Sequence, residues 1–266
     1  MLKKEKSDYI IKSVVHALDV LEQFHGSEGE LGVSELSRRL NMHKNNVFRL
    51  LVTLASRNYI EQNKNTENYR LGLKNLELGQ TVINQMGLHR QAKPVLEKLA
   101  GTCKETCYVT ILRGPHIVNI DAVESDQPVR IVPRVGVMIP AHLSAAGKVL
   151  LAGAAVEEQK QCLSEADLRK TASPAAISLQ EFKKELNKAT VCGYAVEDEE
   201  QDAGVRGIAV PIRNHAGNIV GAIGISGPAI RFSESRMYDE LVPMAKSAAG
   251  EISRQLGYCS PDDVAV

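Results

Sequence analysis

The chain has 266 residues, 44% hydrophobic and 24% charged, with no Trp, four Phe and seven Tyr, which excludes collagen-like and low-complexity classes and leaves globular domains with aliphatic cores. Residues 1–9 alternate Lys with Glu and Asp, the apolar run Val149–Val156 is far too short for a bilayer, and Cys103, Cys107, Cys162, Cys192 and Cys259 are oddly numbered and irregularly spaced; a reduced, cytoplasmic protein without leader, membrane partner or disulfide framework is expected. The zero net charge hides a division: residues 1–75 carry 12 Lys and Arg against 9 Asp and Glu, residues 76–266 carry 20 against 23, and Arg38–Lys74 holds eight basic residues against Glu61 and Glu67 alone, the footprint of a nucleic-acid-binding module beside a neutral or acidic partner domain.

Val14, Ala17, Leu18, Leu21 and Phe24 recur at helical spacing and predict a first helix with these residues as its buried stripe, ended by the glycines of His25–Gly29. Ser34 is the expected N-cap of a short second helix, with Leu36 and Leu40 facing inward and Arg38 and Arg39 outward. Leu40-Asn41-Met42 is the turn, since Asn tolerates left-handed dihedrals better than most residues. A third helix over His43–Ser56 buries Val47, Leu50, Leu51 and Leu54 and leaves Lys44, Asn45, Asn46, Phe48, Arg49 and Thr53 off that stripe. In a major groove, Asn reads adenine, Arg reads guanine or holds phosphate, and Lys neutralises phosphate. Two short strands, over 58–62 and 69–72, joined by a polar loop carrying Lys64, read as a hairpin wing. Together these elements predict a winged helix-turn-helix whose candidate DNA contacts are Ser34, Arg38, Lys44, Asn45, Asn46, Phe48, Arg49, Lys64 and Arg70. A protein-docking or dimerisation module is the alternative use of the same unit.

Residues 76–100 read as a helical connector, broken near Gly79, with Pro94 tolerable only near a helix start or at a kink. From Thr106 the period changes to two. Strands are predicted at Tyr108–Leu112, His116–Val123, Val129–Val132, Gly193–Val196, Gly207–Pro211 and Ile219–Ile225, the last two joined by an Asn214–Gly217 turn. Helices are predicted at Ser144–Leu151, Glu157–Gln161, Leu179–Asn187 and Ser233–Leu256. The sum is an α+β chain: a DNA-binding domain over 1–75, the connector over 76–100, and an antiparallel sheet flanked by helices over 101–266.

The run His43-Lys44-Asn45-Asn46-Val47-Phe48-Arg49-Leu50-Leu51 resembles the Pro-Lys-Ser-Thr-Val-x-Arg-Leu-Leu run of the IclR family of bacterial transcriptional regulators. Tyr69–Gly72, Leu76–Gly79, Pro140-Ala141-His142, Ala146–Ala152, Gly193-Tyr194 through Asp198-Glu199-Glu200, Gly204-Val205-Arg206, and Ser226-Gly227-Pro228 with Arg231 repeat further family signatures in order. His43, Asn45 and Asn46 depart from the pattern, so the reading surface is this chain's own. The resemblance implies a GAF-like effector-binding C-terminal domain and a DNA-binding regulator acting as a homodimer, or as a dimer of dimers, on palindromic double-stranded operator DNA.

A sensor needs a concave pocket with a few convergent polar groups. Ser144-Ala145-Ala146-Gly147, small residues at a helix start, leave room and favour an anion. The resemblance adds Glu197, Gly207, Gly224 and Ser226, so the candidate effector residues are Ser144, Ala145, Ala146, Glu197, Gly207, Gly224 and Ser226. Some relatives carry Cys and Ser where this chain has Gly207 and Gly224, which predicts a larger or less polar pocket for a small organic acid. No cofactor and no catalytic residue is expected: the chain lacks Gly-x-Ser-x-Gly, a phosphate-binding Gly-x4-Gly-Lys-Ser/Thr loop and His-Glu-x-x-His. Cys103 and Cys107 are the alternative, a redox or metal sensor, set against packing cysteines. A strand beginning at Cys107 is expected to keep the two thiols off one helix face.

Overall fold

The computed structural model describes residues 10–24, 29–85, 87–155, 159 and 178–259. The chain divides into two compact units, Met1–Gln85 and Met86–Val266.

The first unit runs α1 (Lys12–Glu22), α2 (Val33–Arg39), α3 (Lys44–Ser56), β1 (Ile60–Gln62), β2 (Tyr69–Leu71) and α4 (Lys74–Gln85). Its core gathers Val20, Phe24, Leu36, Val47, Leu51, Leu54, Ile60 and Tyr69. The α1 stripe is rotated from the predicted one: Val20 and Phe24 are buried with Ala17 and Leu21 against them, whereas Val14 and Leu18 are exposed. Ser34 is not the N-cap of α2. That position belongs to Gly32, because Leu31 is bridged to Tyr69 and carries the chain into the helix two residues earlier. Asn41 adopts φ 51° in the turn between α2 and α3, as its side chain permits. Helix α4 continues through Gly79 to Gln85, since a solvent-facing glycine costs a helix only about 1 kcal/mol and does not stop it.

The second unit runs α5 (Gly87–Cys103), β3 (Thr106–Arg113), β4 (His116–Val123), β5 (Met138–Pro140), a 3-10 turn (Ala141–Leu143), α6 (Ala145–Ala152), α7 (Leu179–Cys192), β6 (Ala195–Asp198), β7 (Val205–Arg213), β8 (Ile219–Pro228), a 3-10 turn (Ala229–Arg231), a wide π turn (Arg236–Leu241) and α8 (Val242–Gln255). The strands form one antiparallel sheet in the order β5-β4-β3-β8-β7-β6. Its faces differ in side-chain size. Cys107, Val109, Ile208, Val210, Ile212, Ile223 and Ile225 pack on one side with α5 and α8, while Tyr108, Ala195, Ala209 and Ala222 meet α6 and α7 on the other. Helix α7 starts on a Ser178–Glu181 capping box and ends at Gly193 with φ 70°, a left-handed exit that glycine makes without strain.

Val129–Val132 is not a strand. The segment is irregular, with Val129 and Val132 66% and 65% exposed. Its carbonyls are satisfied by side chains instead of a ladder: Thr106 Oγ1 donates to the Ile131 carbonyl at 2.6 Å and Arg231 Nη1 to that of Val129 at 2.8 Å. Pro128 and Pro133 bracket the stretch, which suits such a path. The sheet edge is β5 instead. Residues 25–28, most of the predicted helix at 157–161, and Cys162 lie outside the described residues.

Candidate functional site

On α3, Val47, Leu51 and Leu54 turn inward and fix which residues point away. Lys44, Asn45, Asn46, Phe48 and Arg49 are all exposed, and among the described residues the side chains of Lys44, Asn45, Asn46 and Arg49 make no hydrogen bond or ion pair. The other candidate contacts differ. Ser34 is exposed on the first turn of α2. Arg38 Nη2 donates to both Glu35 oxygens at 2.9 and 3.1 Å, and Arg70 pairs with Glu61 at 3.1 Å across the wing. Exposed pairs of this kind contribute about 0–1 kcal/mol, so a phosphate can replace the carboxylate at little cost. Lys64 is exposed in the wing loop. That loop is anchored on Glu30, which accepts from Asn63 Nδ2 and Thr66 Oγ1, both at 2.7 Å, and these bonds hold its pKa below the usual carboxylate value.

In the second unit the strand register lines up Thr106, Ser226, Gly207 and Glu197 as one row across β3, β8, β7 and β6. The row borders a cavity of about 90 Å³ whose lining includes Thr106, Tyr108, Asn119, Ser144, Glu197 and Ser226. A Cβ on Gly207 would stand 3.6 Å from Glu197 Oε2 and 3.7 Å from Ser226 Cβ, in ordinary contact. Gly224 behaves differently. The absent side chain there does not enlarge the pocket, because Tyr108 lies opposite across the β3–β8 ladder and its ring fills the space a Cβ would need. Ala145 and Ala146 are wholly buried and present no side chain to the cavity.

The start of α6 is already occupied. Ser144 Oγ accepts from the Gly147 amide at 3.0 Å, and the Ala145 amide donates to Glu197. Burial pushes the Glu197 pKa up to about 8, Glu200 adds to the rise, and Lys148 and the Ala145 amide oppose it. Glu197 is thus protonated at neutral pH and offers an O–H donor. Behind it, buried Lys148 Nζ lies 2.6 Å from Glu200, 2.9 Å from Glu185 and 3.1 Å from the Val196 carbonyl. Two of the cavity's other polar groups have protein partners: Asn119 Oδ1 accepts from Thr110 Oγ1 at 2.6 Å, and Arg134 stands 3.9 Å from Asp202.

Tyr108, Thr106, Asn119 and Lys148 escaped sequence reasoning. A polar residue in an otherwise aliphatic strand was the available signal for the first three, and Lys148 in the apolar helix Ala145–Ala152 for the fourth.

Cys103 and Cys107 do meet, contrary to the expectation from their elements: Lys104, with φ 61°, reverses the chain between α5 and β3 and brings the sulfurs to 3.5 Å. Their mutual hydrogen bond and burial push the Cys107 thiol well up, while the same bond lowers Cys103. Among the described residues no group of three or more His, Cys, Asp or Glu is gathered for a metal ion, and no helix is long and apolar enough to cross a membrane.

The chain matches two family models, the IclR helix-turn-helix domain over residues 13–64 and the bacterial transcriptional regulator IclR C-terminal region over 80–254. It is 36% identical to the HTH-type transcriptional regulator KdgR of Dickeya chrysanthemi over 96% of this chain and 83% of that one. The Escherichia coli K12 regulator XynR is 32% identical over 94% and 98%. The crystal structure of the Thermotoga maritima IclR superposes with a TM-score of 0.75 at 30% identity, covering 93% and 99%. An IclR homolog from Microbacterium hydrocarbonoxydans, complexed with 4-hydroxybenzoate, shares the fold with a TM-score of 0.80 at 22% identity, over 92% and 98%.

Proposed function

The chain belongs to the IclR family of bacterial transcriptional regulators, DNA-binding proteins and not enzymes, and on that premise we propose that it is a homodimeric regulator that releases or engages a palindromic operator when a small organic acid fills the cavity above β3, β8, β7 and β6. In this reading 1–75 binds DNA, 76–100 connects, and 101–266 binds effector. Lys44, Asn45, Asn46, Phe48 and Arg49 on α3 address the major groove, with Ser34, Arg38, Lys64 and Arg70 on flanking backbone or in the minor groove. Exposed Val14 and Leu18 on α1, with apolar positions of α4, serve as pairing surfaces. Effector binding changes which placements of the paired DNA-binding domains are populated, and so the fit to half-sites about 34 Å apart.

The observation that carries the effector reading is the Thr106-Ser226-Gly207-Glu197 row meeting the Ser144 cap at one cavity. The Ser144 and Ser226 hydroxyls and a protonated Glu197 carboxyl are donors for a carboxylate ligand, and a cavity of about 90 Å³ suits the small end of that class. Calorimetric titration of the full chain with two- to six-carbon organic acids, 4-hydroxybenzoate and the matching amides tests this. Acids bind, their amides do not, and the bound acid alters DNA affinity; binding of neutral or cationic compounds alone overturns the assignment.

The 3.5 Å sulfur contact supports a second reading, oxidation of Cys103 and Cys107 to a disulfide by peroxide with altered DNA binding. Intact mass after mild peroxide, measured beside DNA affinity, decides it: no thiol loss accompanying a change in binding removes the idea.

A further inference from the structure

The outward face of α3 is not uniformly polar. Phe48 and Val52, one turn apart, are 51% and 49% exposed. Both lie away from the buried Val47, Leu51 and Leu54, on the side that carries Asn45 and Arg49 at the same i, i+4 spacing. The wheel of the helix puts Asn45, Arg49 and Val52 at the centre of the exposed arc, with Phe48 beside them. Neither apolar group belongs to the unit's core.

Each of these side chains needs a different partner from a duplex. Free Asn and Arg side chains suit purine edges or phosphates. In the major groove the thymine C5-methyl is the apolar feature of a base pair that Phe can contact, and cytosine lacks it. Phosphates and water offer Phe48 and Val52 nothing comparable.

We infer that Phe48 and Val52 are specificity-determining residues that read thymine methyl groups, so that each half-site carries A·T pairs where these side chains meet the groove, beside the purines addressed by Asn45 and Arg49. The inference rests on α3 being the recognition helix. Losing one buried methyl should weaken binding about fourfold, without changing the salt dependence, because no phosphate contact is lost.

The probe is a random-sequence duplex pool, selected in parallel by the full chain, Phe48→Ala, Val52→Ala, Phe48→Leu and Arg49→Ala. The wild-type protein enriches a T at a fixed half-site position, and deoxyuridine there, which lacks only the methyl, binds about fourfold more weakly. Phe48→Ala or Val52→Ala loses both the T preference and the penalty for deoxyuridine, whereas Phe48→Leu keeps them, and the slope of log affinity against log salt stays that of wild type. Deoxyuridine tolerated throughout the selected site, or both alanine variants retaining the wild-type penalty, overturns the methyl assignment while leaving α3 as the reader. Arg49→Ala selecting the same sequence at the same affinity overturns the recognition-helix reading, and the methyl assignment with it.

Discussion

The exposed face of α3 and the cavity beside α6 use polar groups in opposite ways. On α3 the side chains of Lys44, Asn45, Asn46 and Arg49 are exposed and have no partners among the described residues, while the core behind them is apolar, aliphatic groups packed with Phe24 and Tyr69. At the cavity Ser144 caps a helix, Glu197 takes the Ala145 amide, Thr106 holds the Ile131 carbonyl, and Lys148 lies among Glu185, Glu200 and the Val196 carbonyl. A free group in water can be exchanged with little effect on the fold. A buried group that is already bonded cannot, because its partner is left uncompensated. In the proposed function, binding DNA adds contacts to a prepared surface, whereas an effector in this cavity competes with contacts the protein makes to itself.

Substitutions on the two sides should consequently differ in their effect on stability. The largest change is expected from Lys148→Ala, which leaves Glu200 and Glu185 facing each other without their cation. Stability should fall by about 3 kcal/mol, the lower part of the range for breaking a buried pair, since both carboxylates keep some solvent. Urea denaturation at pH 7 measures it, and an unchanged midpoint would deny the buried role of Lys148.

The next effect is a pH dependence. Glu197 has a folded pKa of about 8 against an ordinary 4.5, so between these values the unfolded chain releases a proton that the folded one keeps. The sign follows: the contribution is fully present below pH 4.5, declines as pH rises towards 8, and is lost above it, on the order of a few kcal/mol. Glu197→Gln should flatten this part of the stability–pH curve. A wild-type curve and a Gln curve of the same slope between pH 5 and 8 would show Glu197 ionised in the fold.

Smaller still, Gly224→Ala should cost about 1–3 kcal/mol by forcing the Tyr108 ring from its place. Gly207→Ala, whose new methyl meets neighbours at 3.4–3.7 Å, should stay within about 1 kcal/mol of wild type yet narrow the cavity. Equal melting temperatures for the two variants would contradict the placement of Tyr108. At the low end, Arg49→Ala should shift stability by no more than about 0.5 kcal/mol while lowering DNA affinity about 10- to 100-fold. Lys44→Ala should weaken binding to all sequences alike and lower the salt slope by about 1, which a fluorescence titration at several salt concentrations reads.

Much of the fold was legible from local pattern. The helix-turn-helix, the wing, the sheet strands His116–Val123 and Ile219–Ile225, and the α7 and α8 regions follow from periodicity and turn residues, which act between neighbours in the chain. The misreadings share a cause. Ser34 lost the cap to Gly32 through a bridge to Tyr69; Val129–Val132 lost its ladder to donors from Thr106 and Arg231; Val14 and Leu18 gave up the buried stripe to Val20. In each, a residue distant in sequence, or the packing around the element, overrode a sound local preference.

By itself the sequence determined the family and the exposed residues of α3, because solvated side chains on an amphipathic helix are fixed by its buried stripe alone. Only the tertiary structure decided what the cavity is. The ring that fills the space over Gly224 comes from Tyr108, more than a hundred residues away in sequence. The carboxyl at the start of α6 comes from Glu197 on β6, and Lys148 reaches back from α6 to Glu200. Pocket shape and proton occupancy are set by groups brought together across a sheet, and the spacing of residues along a chain does not encode that proximity.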